Sequence, residues 1–281
     1  MSKKLITLPA SVIAGGMFLI MPSLRRHPDL EELKKWNYAH RGLHDRTKGI
    51  PDNSLTAFSR AVEKGYGIEL DVQLSKDGVP FIMHDMELAR KVRNAQEEPV
   101  TGKGCDYDWE MLQTFHLTGS EEKIPSFQEV LDLVNGRVPL IVELKVGFDD
   151  WNMPVCQAAM SLLEKYQGLY CVESFHPGAV FWLRTHYPKV CRGQLSDCLY
   201  ETLADGKEHP VLYRGAEYLV GNCLTKPDFI AYNVMYERNP ARRICRNVFK
   251  NTAVTWTVKS AEQYKMAKKH FDIIIFEGFE P

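Results

Sequence analysis

The sequence lacks the patterns that mark several large classes of protein. Its seven cysteines are scattered, none forms a Cys-x-x-Cys pair, and their odd number cannot pair completely within one chain. A disulfide framework and a thiolate zinc site are therefore not expected, and most cysteines should be small core residues. No Asn-x-Ser/Thr sequon occurs, which disfavours a glycosylated secreted protein.

An excess of charge of one sign is also missing. The 281 residues carry 35 Lys and Arg against 36 Asp and Glu, a formal net charge of −1. This balance gives no basic footprint for nucleic acid, so no nucleic-acid partner is expected, and any anion site must be local. Hydrophobic residues make up 44% of the chain, which is enough for a sizeable core.

The N-terminus contains a long apolar run. Residues 5–24 carry no charge, two lysines precede them and two arginines follow them. About 20 apolar residues suffice to cross a bilayer, so an uncleaved membrane anchor is predicted, with a signal peptide or a soluble hydrophobic arm as alternatives. The basic residues after the run favour a cytoplasmic side for the main domain. The predicted division is a hydrophobic segment with linker at 1–35 and one domain at 36–281.

The remainder of the chain alternates short apolar runs with helical patterns, the signature of a parallel α/β sheet. Eight strands and their crossovers in about 245 residues predict a (β/α)₈ TIM barrel. The alternative is an open doubly wound sheet, but no Gly-x-Gly-x-x-Gly follows the first strand. A helix is predicted over 53–64, with Asn53 as its cap. The predicted strands are 37–40, 67–74, 139–145, 169–175, 190–195, 228–236, 252–258 and 272–276.

An Asp-Gly turn at 77–78 interrupts the alternation. Such a turn between two apolar runs predicts a hairpin, in which 79–85 returns beside the strand 67–74. If the turn centres near residue 77, Met83 faces Asp71.

Carboxylates occupy strand positions that would normally be buried. Glu69 and Asp71 are two apart and project to one face, as do Glu143 and Lys145. The carboxyl ends of barrel strands converge on one face, and buried carboxylates need a cation. Glu69, Asp71 and Glu143 therefore predict a site for one hard divalent cation, Mg²⁺ or Ca²⁺. Ordinary inward ion pairs, with Lys145 neutralising one carboxylate, are the alternative.

Two histidines lie next to this predicted cluster. His40 ends the first strand and is followed by Arg41, whose planar guanidinium suits a phosphate. His84 ends the hairpin return. Two imidazoles beside a metal and an arginine suit general acid–base cleavage of a phosphodiester. One would take a proton from the attacking hydroxyl, and the other would give one to the departing alkoxide.

Several short motifs follow one another in a recognisable order. They are His-Arg-Gly at 40–42, Pro-Asp-Asn at 51–53, Glu-Leu-Asp-Val at 69–72, His-Asp at 84–85, Glu-Leu-Lys at 143–145, Glu-Ser-Phe at 173–175 and Trp-Thr at 256–257. In this order the sequence resembles the glycerophosphodiester phosphodiesterase family, within the phosphatidylinositol-phospholipase-C-like superfamily. The resemblance runs from about residue 37 to 258.

The resemblance implies a barrel enzyme that hydrolyses glycerophosphodiesters to sn-glycerol 3-phosphate and an alcohol. It implies a divalent ion on Glu69, Asp71 and Glu143, with His40 and His84 as acid and base. It further implies phosphate binding by Arg41 and Lys145, and a place for Trp256 in the substrate cavity, where a core aromatic is the alternative.

Two other functions remain open. A lysophospholipase D acting on membrane lysolipids would suit the apolar N-terminus, and a catalytically silent, membrane-tethered barrel would serve for binding alone. Because both histidines and all three carboxylates are present, silence is disfavoured.

The sequence also departs from the family pattern. Pro51-Asp52-Asn53 replaces Pro-Glu-Asn, and Phe276-Glu277-Gly278 replaces Thr-Asp-x-Pro. The insertion over the site, about residues 86–123, is short and predicts an open pocket. These differences bear on pocket shape and substrate more than on reaction type.

Overall fold

Eight parallel strands close into a barrel in the computed structural model, which describes residues 10–147, 150–202 and 210–281. The barrel order is β1, β2, β6, β7, β8, β9, β10 and β11, and β1 pairs with both β2 and β11. Closure confirms the predicted TIM barrel and excludes the open sheet. The described strands are β1 (Asn37–His40), β2 (Gly67–Leu74), β3 (Pro80–Ile82), β4 (Val92–Arg93), β5 (His116–Leu117), β6 (Leu140–Leu144), β7 (Tyr170–Ser174), β8 (Arg192–Ser196), β9 (Phe229–Asn233), β10 (Thr252–Val258) and β11 (Ile273–Phe276).

Helices connect the strands and cover the barrel. The described helices are α1 (Ala10–Leu19), α2 (Asp29–Leu33), α3 (Leu55–Glu63), α4 (Trp109–Leu112), α5 (Phe127–Val134), α6 (Pro154–Leu163), α7 (Pro177–His186), α8 (Leu199–Thr202), α9 (Pro210–Glu217), α10 (Asn222–Thr225), α11 (Pro240–Asn247) and α12 (Ala261–Ala267). The predicted cap of α3 was wrong by one residue. Ser54, not Asn53, caps this helix, because its hydroxyl accepts a hydrogen bond from the Ala57 N–H at 3.1 Å.

The predicted hairpin is present, and its register agrees with the turn. β3 runs antiparallel to β2, with Val72 opposite Ile82. The Met83 N–H donates to the Asp71 carbonyl at 3.0 Å, as expected for a turn centred near residue 77. His84 follows the return strand by two residues and so lies at the carboxyl end of β2.

The amino-terminal end of the barrel is closed by α2. Leu30 and Leu33 are buried there in one apolar cluster with the inward-pointing Tyr38 and Ile141. The Tyr38 hydroxyl donates to the Leu33 carbonyl at 3.0 Å. The closed end leaves the opposite, carboxyl-terminal face of the barrel as the open one.

The predicted anchor lies partly outside the described residues, which begin at Ala10. Helix α1 is apolar, and Val12, Ile13 and Phe18 are each more than half exposed. Within the described part of the chain, no helix is long and apolar enough to cross a membrane.

The chain after α1 is held by the barrel. Ile20 is buried against Leu219 and Cys245, and the Ser23 N–H donates to the Pro227 carbonyl at 3.0 Å. Pro227 precedes β9 and Cys245 precedes β10, so these contacts lie at the amino-terminal end of the barrel. The boundary at residues 35 and 36 stays a prediction, although residues 20–33 pack against the barrel.

Truncation of the closing leucine is expected to destabilise the fold. Leu33 is 0% exposed, whereas Leu24 is 66% exposed. Leu33→Ala should lower the free energy of unfolding by about 2–5 kcal/mol, because it removes buried methyl groups and leaves a cavity. Leu24→Ala should change it by less than about 0.5 kcal/mol. Urea unfolding of both variants measures the difference, and equal effects would show that α2 does not close the core.

Candidate active site

Three buried carboxylates meet at the open face of the barrel. Glu69 and Asp71 point inward from β2, and Glu143 lies in register with Asp71 on the neighbouring β6. Each offers an oxygen within 4.8 Å of the other two, and none is more than 7% exposed. The structure thus brings together the three residues that the sequence predicts as metal ligands.

Positive charge near the carboxylates is insufficient to balance them. Lys145 Nζ lies 2.9 Å from Asp71 Oδ1 and 2.7 Å from Glu143 Oε1, and Arg41 Nε lies 3.3 Å from Asp71 Oδ2. The ion pairs expected under the alternative interpretation are therefore present, but Glu69 has no Lys or Arg side chain within 4.0 Å in the described ranges.

The pKa values of the carboxyls reflect this shortage. Burial raises the pKa of Glu69 well above its ordinary value, and the charge of Asp71 raises it further. Burial also raises the pKa of Glu143 to about 7, although Lys145 opposes the shift. For Asp71, Lys145 and its neighbours overcome burial and hold the pKa well below the usual range. A divalent cation would supply the missing charge, and an all-oxygen donor set fits Mg²⁺ or Ca²⁺.

Backbone strain places two polar groups on this cluster. Asn53, at φ 58°, donates from Nδ2 to Asp71 Oδ2 at 2.8 Å. Arg41, at φ 56°, donates from its N–H to Glu69 Oε2 at 3.1 Å. Non-glycine residues seldom adopt positive φ, and they cluster at functional sites when they do. Asn53 therefore orients Asp71 instead of capping α3.

His40 is paired with an acidic residue from the last strand. Its Nδ1 lies 2.7 Å from Glu277 Oε2, just beyond β11. Burial lowers the pKa of His40 to about 4, although Glu277 opposes the shift. The hydrogen bond to His40 in turn lowers the pKa of Glu277 to about 2. His40 is therefore neutral near pH 7, and its Nε2 is the nitrogen left for a substrate.

His84 is held in the same way. Its Nδ1 lies 2.8 Å from Asp85 Oδ1, and Arg90 binds Asp85 through Nε and Nη2 at 2.7 and 2.6 Å. Burial lowers the pKa of His84, while Asp71 and Asp85 oppose the shift. Both histidines thus use Nδ1 for a carboxylate and keep Nε2 for chemistry.

Arg41 is fixed by the acidic residue of the Pro-Asp-Asn motif. Asp52 Oδ2 lies 3.4 Å from Arg41 Nη1, and Lys91 Nζ lies 2.6 Å from both oxygens of Asp52. Lys91, with the cations beside it, overcomes the burial of Asp52 and keeps the pKa of this carboxyl well below its ordinary value. The shorter side chain of Asp52 therefore still holds Arg41.

A cavity of about 1040 Å³ joins these groups. Its wall contains every predicted site residue except Asp71, which is 0% exposed. Trp256 lies on the wall, with its ring edge-to-face against Phe175 at a centroid distance of 5.6 Å. Much of the remaining wall is apolar and consists of Met86, Ala89, Leu144, Val146, Phe175, Leu195, Leu199 and Ile275.

Comparison with known proteins decides the family. The sequence profile of the Glycerophosphoryl diester phosphodiesterase family matches residues 40–276. The chain belongs to this family. Among curated members, it is 31% identical over 163 residues to a glycerophosphodiester phosphodiesterase of Bacillus altitudinis, covering 54% of this chain and 63% of the relative. It is 28% identical over 156 residues to human glycerophosphodiester phosphodiesterase 1, covering 48% of this chain and 44% of the relative. The matches therefore span less than two thirds of these relatives.

Solved structures share the fold of this glycerophosphoryl diester phosphodiesterase family member. A phosphodiesterase of Oleispira antarctica, solved with the product sn-glycerol-3-phosphate, aligns with a TM-score of 0.67 at 18% identity, over 88% of this chain and 94% of that one. A glycerophosphodiester phosphodiesterase of Parabacteroides distasonis aligns with a TM-score of 0.64 at 20% identity, over 86% and 92%. Both likenesses concern the fold.

The sequence interpretation missed the partners of the two histidines. Glu277 was noted only as a departure from the family's Thr-Asp-x-Pro, and Asp85 only as part of a motif. The sequence did contain a sign of the His40 partner. Glu277 is an acidic residue one position beyond the last strand, where side chains face the open end of the barrel.

Glu277→Gln is expected to slow turnover with little effect on substrate affinity. The amide cannot stabilise an imidazolium or fix the tautomer of His40 as a carboxylate does, so kcat should fall by about 10–10²-fold. Glu277→Asp keeps the charge and should restore part of the loss. Steady-state kinetics of both variants give the comparison. Equal kcat values for Glu277→Gln, Glu277→Asp and wild type would show that Glu277 does not contribute to turnover.

Proposed function

We propose that the chain hydrolyses glycerophosphodiesters to sn-glycerol 3-phosphate and an alcohol. The observation that carries the proposal is the pair of histidines whose Nε2 atoms make no hydrogen bond to any described residue, on the wall of one cavity with a buried three-carboxylate cluster. Family membership supports the same activity, as does the sn-glycerol-3-phosphate bound to the Oleispira enzyme of the same fold.

Glu69, Asp71 and Glu143 would hold the divalent cation, Mg²⁺ or Ca²⁺. When bound, such an ion would neutralise charge on the phosphoryl oxygens and so lower the barrier to nucleophilic attack at phosphorus. Asn53 keeps Asp71 oriented through its 2.8 Å hydrogen bond. Lys145 bridges Asp71 and Glu143 and lies on the cavity wall, where its charge can also bind a phosphoryl oxygen.

The chemistry itself falls to the two histidines. Arg41, held by Asp52, would bind the phosphate through its guanidinium. One histidine accepts the proton of the attacking hydroxyl as its oxygen bonds to phosphorus. The other donates a proton to the alkoxide as the bond between phosphorus and the leaving oxygen breaks. When the attacking hydroxyl belongs to a water molecule, the net change is the addition of one water across that bond.

Incubation of the purified chain with glycerophosphodiesters and Mg²⁺ or Ca²⁺ tests the proposal. Release of sn-glycerol 3-phosphate, detected with a dehydrogenase specific for it, is expected. The silent-barrel alternative predicts binding of the diester without turnover.

Lysolipids are the second candidate substrates, because the cavity wall has a large apolar part. Phe175, Leu195 and Leu199 could accommodate an acyl chain attached to the glycerol. The kcat/KM values for a glycerophosphodiester and for its 1-acyl counterpart with the same headgroup decide between them. A lysophospholipase D should prefer the acylated substrate by about tenfold or more, since each buried methylene contributes ~0.8 kcal/mol.

We also propose membrane association through residues 5–24, with the barrel on the cytoplasmic side. The exposed apolar surface of α1 supports this. The full chain should sediment with membranes after a high-salt wash, and a chain that begins at residue 20 should not.

Because Ile20 and Ser23 are held at the closed end of the barrel, the N-terminal segment leaves the domain far from the open site. This arrangement favours water-soluble diesters over lipids taken directly from the bilayer.

A further inference from the structure

Three stretches of the chain lie side by side at the closed end of the barrel. α1 packs against α10, and α10 packs against α7. The chain just after α1 joins them, because Asn222 Nδ2 on α10 donates to the Ile20 carbonyl at 3.2 Å. α7 and α10 end shortly before β8 and β9 begin, so their last turns lie at the amino-terminal end of the barrel. The surface that these stretches share, called the basal face below, consists of residues 11–26, 177–190 and 219–227.

The basal face is basic although the whole chain is nearly neutral. Its three stretches contain no Asp or Glu, whereas the chain as a whole has 36. Their cations are Arg25, Arg26, Arg184, Lys189 and Lys226. The adjoining α2 is balanced by contrast, because its two glutamates, Glu31 and Glu32, are paired with the lysines that follow. A local excess of cations attracts a negatively charged partner.

The protein does not neutralise these cations itself. Arg25, Arg184 and Lys226 each donate to a backbone carbonyl of a different stretch, and together the three hydrogen bonds link the stretches pairwise. Among the described residues, no carboxylate oxygen lies within 4.0 Å of any of the five cations. The hydrogen bonds therefore build the face while its positive charge stays available to a partner.

Large apolar side chains are exposed between the cations. They are Phe18, Leu24, Phe181 and Leu224. Leu24 immediately precedes two arginines, and the Leu224 carbonyl accepts the hydrogen bond from Arg184. A contiguous exposed apolar patch marks an interaction surface. Apolar side chains among lysines and arginines suit the boundary of a lipid bilayer, where the chains enter the acyl layer and the cations reach the phosphates.

We propose that the basal face docks on an anionic lipid bilayer. The inference does not depend on the proposed reaction, and it goes beyond association through residues 5–24 because it assigns lipid contacts to α7 and α10 of the barrel. A second copy of the chain fits this face less well, since a symmetric dimer would place the same cations opposite one another. Docking by the closed end directs the open site away from the bilayer.

Two native cysteines report docking in the full chain. Cys223 lies on α10 in the basal face and is half-buried, whereas Cys105 is exposed near the hairpin turn at the open end. The chain is added to preformed vesicles of phosphatidylcholine, alone or with an equal part of phosphatidylglycerol, and labelled with a membrane-impermeant maleimide. Cys223 should react at least about fivefold more slowly on the anionic vesicles, because each cation near such a surface contributes about that factor. Cys105 should react equally fast on both.

Charge reversal tests whether the cations cause this protection. Arg26→Glu combined with Lys189→Glu changes two exposed side chains of the basal face and should return the Cys223 rate to its value on phosphatidylcholine. Lys76→Glu combined with Lys103→Glu is the matched control near the hairpin and should keep the protection. None of these four residues lines the cavity, so kcat/KM should not change and the result is independent of the proposed function.

Equal Cys223 rates on the two kinds of vesicle in wild type, or protection that survives the reversal of Arg26 and Lys189, would overturn the proposal. If Cys223 reacts too slowly without vesicles, Leu224→Cys supplies an exposed thiol at the next position, for which the same protection is expected and its absence would be equally decisive. Protection that rises with protein concentration in the absence of vesicles would assign the basal face to a second copy of the chain instead.

Discussion

Asp71→Asn is expected to lower kcat/KM for a glycerophosphodiester by about 10²–10⁴-fold, because the loss of the charge of a proposed metal ligand should remove several kcal/mol of transition-state stabilisation. Asp71 is the centre of the cluster, since Lys145, Arg41 and Asn53 all contact it. Its isosteric amide should leave the barrel folded. Initial rates across a Mg²⁺ or Ca²⁺ titration measure the effect, and part of the loss should return at high metal concentration.

Glu217→Gln provides the matched control for a buried carboxylate. Glu217 is 5% exposed and lies on α9, away from the cavity wall. It should retain wild-type kcat/KM and wild-type metal dependence. Removal of metal by chelation should inactivate wild type reversibly. Wild-type kcat/KM in Asp71→Asn, or full activity of wild type after exhaustive chelation, would contradict a metal site at these carboxylates.

Replacement of either histidine is expected to reduce kcat by about 10²–10⁴-fold, which is the usual contribution of one general acid or base. The change in substrate binding should be much smaller. His40→Asn and His84→Asn each remove a side chain whose Nδ1 is held by a carboxylate and whose Nε2 has no hydrogen bond to a described residue. A nitrophenyl ester, whose leaving group needs no proton, should rescue only the variant that lacks the general acid. Near-wild-type kcat of both variants on natural and activated substrates would make the histidines structural.

The pH dependence follows from the burial of His40. Its pKa is lowered to about 4, so it is neutral and able to accept a proton at ordinary pH. It loses that ability only as the pH falls through its pKa. If His40 is the base, the acidic limb of kcat/KM should lie well below pH 6.5 and vanish in His40→Asn. A nearby bound cation would lower the pKa further.

Much of the fold could be predicted from the sequence because the barrel repeats one physical pattern. Each of the eight predicted strands overlaps an observed one, and three of them, 37–40, 67–74 and 252–258, coincide with β1, β2 and β10. Buried parallel strands are short apolar runs, and the alternation of side chains fixes which residues point inward. This is why the sequence alone predicts that Glu69, Asp71 and Glu143 share one face of the barrel.

Contacts between distant parts of the chain could not be predicted. Glu277 reaches His40 across 237 positions, and no local pattern encodes that pairing. Asn53 and Ser54 are both good caps, so only the positive φ of Asn53 shows which one turns toward Asp71. The apolar run also gave no sign that Ile20 packs on the barrel while Phe18 stays exposed.

Phosphorus NMR of one reaction mixture tests whether the three carboxylates support metal-dependent hydrolysis of a glycerophosphodiester. Wild type, a glycerophosphodiester and a divalent cation should convert the diester resonance into that of sn-glycerol 3-phosphate, with one equivalent of alcohol. The same mixture with chelator, or with Glu143→Gln in place of wild type, should keep the diester. An unchanged diester in the complete mixture, or equal conversion by Glu143→Gln, would contradict a metal-dependent glycerophosphodiester phosphodiesterase built on these carboxylates.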